Sequence, residues 1–258
     1  MRVSGMFRKF RPIAVLAVAV GLSGCDRVEV NFNGEDGVPL AALDLSGDPP
    51  DSLALAGPDD VVVTTGDEFT IAVEGSDAAT ERMRFVLSDG TLAITRTDSR
   101  SNDNESATVN ITMPAPSEIA VLGSGRVTAD TMSSDSEIRI AGSGAANISE
   151  IDSDQLEIEI AGSGRAVVAG STERLEIDIL GSGTADLAGL QADQAEVNIA
   201  GSGDVSFASD GTVEASIAGS GDVRVRGSAS CTLDSTGSGR LICEEADVAA
   251  DDEDDSTE

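Results

Sequence analysis

The sequence has no histidine, no tryptophan and no tyrosine, only six phenylalanines, and three cysteines in 258 residues. Without histidine it lacks the side chain most used for acid-base catalysis near neutral pH and for binding transition metals. Without tryptophan and tyrosine it lacks most of the flat surface on which sugars and nucleobases stack. Basic residues are also scarce, 16 against 47 acidic, so the formal charge of −31 repels nucleic acid. A compact globule has little aromatic core material here. A narrow β-solenoid, filled by valine, isoleucine, leucine and alanine, needs none.

What is present is a repeat. Gly-Ser-Gly recurs with first glycines at Gly123, Gly142, Gly162, Gly181, Gly201, Gly219 and Gly237, in steps of 18 to 20 residues. An alternating run precedes each tripeptide, as in Leu156-Glu-Ile-Glu-Ile160, and alternation resumes after it, as in Ala166-Val-Val168. Such runs read as strands with one apolar and one polar face, and a fixed period of this length reads as stacked coils.

Numbering from each first glycine gives columns. Four before it stand Ile119, Ile138, Ile158, Ile177, Val197, Ala215 and Leu233. Two before it stand Val121, Ile140, Ile160, Ile179, Ile199, Ile217 and Ser235, and six after it Ala129, Ile148, Val168, Leu187, Phe207, Val225 and Cys243. Side chains two apart on a strand face the same way, so all three columns point inward. The same parity turns both glycines of the tripeptide inward and the serine outward. The expectation is an all-β chain, a parallel β-helix of about seven Gly-Ser-Gly coils over 116–243, with an N-terminal β cap or irregular first coils over 50–115.

The flanks read differently. Residues 1–25 have the form of a bacterial lipoprotein signal peptide: Arg2, Arg8, Lys9 and Arg11, an apolar centre from Ile13 to Val20, then Leu22-Ser-Gly-Cys25. This end resembles a lipobox, which implies acylation of Cys25 as the mature N-terminus, leaving 12 basic and 47 acidic residues and a charge of −35. The apolar run is short for a bilayer span. The expected site is the bacterial envelope, lipid-anchored, facing the periplasm or the surface. Residues 26–49 read as a tether. Residues 244–258, with Asp251-Asp-Glu-Asp-Asp255, read as an acidic disordered tail.

Several segments together carry a family resemblance: Val61-Val-Val-Thr-Thr-Gly-Asp-Glu-Phe-Thr-Ile-Ala-Val73, Asp89-Gly-Thr-Leu-Ala-Ile94, Val109-Asn-Ile-Thr-Met-Pro114 and the Gly-Ser-Gly series. With them, residues 50 to 243 resemble the head GIN domain (DUF2807), known as a putative autotransporter adhesin head. The resemblance implies a β-helix in a bacterial envelope protein. It supplies no catalytic or binding residues.

Two constellations stand out. Cys231 and Cys243 lie six before and six after the last anchor, in inward columns of the final coil. In an oxidising compartment this pair reads as a disulfide pinning the end of the helix; the alternative is two buried thiols acting as small hydrophobes. Five before the anchors stand Glu118, Glu137, Glu157, Glu176, Glu196 and Glu214, an outward file of carboxylates. One reading is a divalent-cation ladder, with Ca2+ the best match to all-oxygen ligands. The other is a solvated acidic face screened by salt.

The serine column is sevenfold and has no base beside it, so it reads as a hydroxyl ladder along a corner, not as a nucleophile. The leading functional reading is a non-enzymatic binding protein whose partner is an envelope protein or surface glycan. The alternatives are a polysaccharide-active β-helix enzyme and a ligand-free structural spacer.

Overall fold

The computed structural model describes residues 37–97 and 106–244. The signal peptide with Cys25, most of the tether, and the tail from residue 245 lie outside the described residues. Among the described residues no helix is long and apolar enough to cross a membrane.

The chain forms a parallel β-solenoid of about seven turns. Its regular part comprises β7 (Glu118–Gly123), β8 (Arg126–Ala129), β9 (Asp135–Gly142), β10 (Ala145–Gly162), β11 (Arg165–Gly181), β12 (Thr184–Gly201), β13 (Asp204–Gly219), β14 (Asp222–Arg226), β15 (Ser230–Gly237) and β16 (Arg240–Glu244), preceded by β1 to β6 and the short helix α1. Each run before a tripeptide pairs in register with the next, so that Leu156, Ile158 and Ile160 lie over Ser136, Ile138 and Ile140 and under Leu175, Ile177 and Ile179. The three inward columns are buried from Ile119 to Val225, making one continuous aliphatic spine.

At the corner the two glycines have different tasks. The second faces inward and is buried from Gly125 to Gly221. A Cβ on Gly164 would lie 2.4 Å from the Ile140 side chain of the coil below. The first glycine does not face the core, and this corrects the simple alternation. Gly162 has φ +124 and is exposed, and a Cβ there would lie 2.4 Å from the carbonyl oxygen of Gly142. That carbonyl accepts the Ser163 N–H at 2.9 Å, so the corner is held by backbone bonds between coils. The serines stand exposed and their hydroxyls bond no neighbour among the described residues, so the predicted hydroxyl ladder does not form.

The N-terminal part builds two more rungs out of sequence order. β1 (Ser52–Gly57) and β2 (Asp60–Thr65) lie directly under β7 and β8, while β5 (Thr91–Arg96) and β6 (Thr108–Met113) lie under β1 and β2. β3 (Thr70–Glu74) and β4 (Met83–Ser88), joined through α1 (Asp77–Thr80), pair antiparallel with β6 and β5 and close the base. The tight turn expected at Asp89-Gly90 joins β4 to β5, with both residues at positive φ. At the corner Gly57-Pro58-Asp59 the buried Asp59 carboxylate accepts the Ala107 N–H at 2.8 Å and pairs with Arg96, tying the lowest rung to the one above.

The far end is open. Leu233 is 41% exposed because no coil covers it. Cys231 is half-buried and Cys243 exposed, although their columns are buried in every lower coil. The two are disulfide-bonded across the end of the spine, with Cα atoms 6.8 Å apart.

Candidate functional site

The strands before each corner form one continuous face with three outward columns. The first is the predicted carboxylate file, in register from Glu118 through Glu137, Glu157, Glu176 and Glu196 to Glu214, each beside its equivalent in the next coil. Stacking therefore sets like charges one strand spacing apart, about 4.8 Å. Its lower members, Glu118 to Glu176, are half-buried, and Glu196 and Glu214 are exposed.

The second column runs Ala120, Arg139, Glu159, Asp178, Asn198, Ser216 and Asp234. Arg139 sits where four carboxylates could be reached and takes three. Its Nε lies 2.9 Å from Glu159 Oε2, its Nη1 lies 3.2 Å from Glu118 Oε1, and its Nη2 pairs with Glu137. Glu137, Glu157 and Glu159 each bring one carboxylate oxygen to within 4.8 Å of one another.

Burial pushes the Glu137 carboxyl up to about 7, against the opposing pull of Arg139 and with further push from Glu157, Glu118 and Glu159. Burial raises Glu118 as well, again opposed by Arg139. Burial raises Glu157 with Glu159 adding to it, and burial raises Glu176 with Glu157 adding to it. The file thus holds its charge reluctantly, and most so around the only basic side chain in these columns.

The third column, one before each anchor, was missed in reading the sequence. It runs Leu122, Ala141, Ala161, Leu180, Ala200, Ala218 and Thr236. These side chains point outward yet six of the seven are apolar, and Leu180 is 65% exposed. Between Ala161 and Thr236 the short side chains leave an open groove of about 530 Å3. Leu180, Ala200 and Ala218 form its floor, and Glu159, Asp178 and Asp234 stand along one side. The signal lay in the outward parity of that column, which alternation reserves for polar residues.

The strands after each corner carry a different surface. There acids and bases alternate and pair across coils: Arg126 with Asp60 at 3.7 Å, Arg165 with Asp186 at 3.7 Å, and Arg240 with Asp222 at 2.6 Å, with Arg224 also on Asp222. The hydrogen bond from Arg240 holds the Asp222 carboxyl below its ordinary range.

Comparison with known proteins follows the same lines. The family model of the putative autotransporter adhesin head GIN domain matches residues 49–229. A putative adhesin from Bacteroides fragilis superposes with a TM-score of 0.66 at 18% identity, over 77% of this chain and 92% of that one. A putative lipid binding protein from Parabacteroides distasonis gives 0.61 at 23% identity, over 77% and 93%. A putative adhesin from Parabacteroides merdae gives 0.54 at 16%, over 78% and 94%. At these identities the likeness shows the fold. No curated protein matches the sequence.

Proposed function

This chain belongs to the putative autotransporter adhesin head GIN domain family, and from that premise we propose that it is a non-enzymatic, lipid-anchored envelope protein that uses the acidic face of its solenoid to bind an envelope protein or a surface glycan. The observation that carries this reading is the face itself. Six glutamates stand in register over successive coils beside an open apolar groove, so the same chemistry is presented at every rung. A repeated surface of this kind suits adhesion, where many equal contacts add, better than turnover at one point. Anchoring rests on the Leu22-Ser-Gly-Cys25 lipobox.

The rival, a polysaccharide-active enzyme, has one observation behind it: Glu137, Glu157 and Glu159 are grouped, and Glu137 is pushed up to about 7. A retaining glycosidase sets two carboxyls about 5 Å apart. Strand stacking imposes that spacing on every rung of this file, however, and Arg139 already binds Glu137 and Glu159.

Cross-linking in intact cells with mass spectrometry, run with and without a divalent-ion chelator, tests the proposal. Cross-links from the glutamate face to an envelope component are expected, together with release of a Cys25→Ala variant from the membrane fraction. Turnover of an acidic polysaccharide that Glu137→Gln abolishes would establish the enzyme instead.

A further inference from the structure

We propose that the groove over Ala161, Leu180, Ala200 and Ala218 is a docking site for a cationic amphipathic helix of a partner protein. This rests on the binding role proposed above and gives that role an occupant. The floor is apolar and exposed, and Leu180 is the most exposed of the large apolar side chains among the described residues. An apolar strip open to water at this level marks a surface that another molecule covers.

The chemistry of the occupant follows from the walls. Asp178 and Asp234 line the groove with no basic side chain paired to them, and Glu159 shares its one cation, Arg139, with Glu118 and Glu137. Beyond them runs the glutamate file. A partner must therefore bring apolar side chains for the floor and cations for one flank. A second copy of this chain brings the opposite: it carries 47 acidic residues, its one lysine is Lys9 in the signal segment, and it would set carboxylate against carboxylate.

The form of the occupant follows from the backbone. On this face β10, β11, β12 and β13 spend their main-chain groups on the coils above and below. An extended peptide lying across them finds no edge to extend, so the β-augmentation mode is closed and contact is through side chains alone. The groove crosses the rungs from Ala161 to Thr236, four strand spacings or about 19 Å, which is the length of a helix of about 13 residues. Small residues on the floor let such a helix approach closely, with Leu180 and its neighbours meeting an i, i+3, i+4, i+7 apolar stripe.

The probe is a synthetic peptide of about 14 residues, built of leucine, alanine and lysine, with the leucines at helical spacing and the lysines on one flank. Its binding to the folded protein is followed by fluorescence anisotropy and by helix formation in circular dichroism. Binding in the micromolar range is expected, with a scrambled peptide of equal charge roughly tenfold weaker. Leu180→Asp, an exposed position whose change leaves the spine intact, is expected to weaken binding at least about tenfold, and Asp178→Lys/Asp234→Lys to do the same. Asp154→Lys/Asp193→Lys, an equal charge change on exposed residues away from the groove, is expected to leave binding within about twofold.

Equal binding of the scrambled peptide, or equal loss in both double variants, would overturn the proposal in favour of unspecific charge attraction. So would dimerisation of the protein alone that Leu180→Asp dissolves, which would give the groove to a second copy. No binding at all would refute the groove site, while cross-linking in cells would still report on the wider adhesive role.

Discussion

The two faces that meet at each Gly-Ser-Gly corner share one backbone, one spacing and one core, yet their surfaces are opposites. After the corner, Arg126, Arg165 and Arg240 find acids on adjacent rungs, and charge is cancelled locally in exposed pairs. Before it, Arg139 alone faces a file of glutamates, and an apolar strip runs alongside. Stacking repeats whatever a column contains, so one residue choice per coil becomes a long stripe. The difference teaches that the solenoid is neutral as to function and that its faces are written separately, one passive and one with unspent binding capacity.

Four experiments sharpen the contrast. The largest effect concerns the rung where the faces are tied together, since Cys231 lies before the last corner and Cys243 after it. Replacing both with serine is expected to lower stability by about 3 kcal/mol in the chain-entropy account, read as a shift in the urea midpoint, and reductant should reproduce it in the wild type. Next is Arg139→Gln, which leaves Glu118, Glu137 and Glu159 facing one another. A loss of about 2 kcal/mol is expected, less than for a fully buried network because these groups are partly solvated. Arg165→Gln on the other face should change stability by no more than about 0.5 kcal/mol. Equal losses would erase the distinction between the faces.

The third experiment uses pH. Glu137 ionises at about 7 in the fold against an ordinary 4.5, so its protonated form favours the folded state. Its contribution is complete below about pH 4.5 and is lost as pH rises through 7. Other carboxylates shift the opposite way, so the informative quantity is the difference between wild type and Glu137→Gln. The variant is expected to gain about 1 kcal/mol relative to wild type between pH 5 and pH 8, a figure reduced for half exposure. No pH dependence in that difference would show that Glu137 titrates normally.

The smallest effect is that of Ca2+. With Arg139 already among the closest carboxylates, millimolar Ca2+ at constant ionic strength is expected to leave the melting temperature unchanged. A rise that Glu157→Gln abolishes would restore the cation ladder.

Much of the fold could be read in advance because the period and the alternation say the same thing. Ile138, Ile158 and Ile177 stack as their column predicts, and the opposed positions of Cys231 and Cys243 place the disulfide. The glutamate file is where its parity put it. The first glycine of each tripeptide was misplaced because strict alternation assumes extended backbone, and at φ +121 to +142 that assumption fails. The bridging by Arg139 was hidden because it joins residues about 20 apart through a side chain that occurs once in its column. The order of the lower rungs was hidden because no tripeptide marks them. Gly57-Pro58-Asp59 turns the same kind of corner with a carboxylate, and Leu92 and Ile94 continue the spine without a signature.

The out-of-order base has a consequence for how the molecule is made. From β7 onward each rung can settle on the one before it as the chain emerges from a ribosome or a translocon. Below β1 the scaffold waits: residues 91–113 must slide beneath a strand synthesised some forty residues earlier, and only then do β3 and β4 seal the floor. Assembly is thus gated once, at the start, and then runs as a zipper in one direction. A chain interrupted after the floor has closed retains a foundation, whereas one interrupted before it has none.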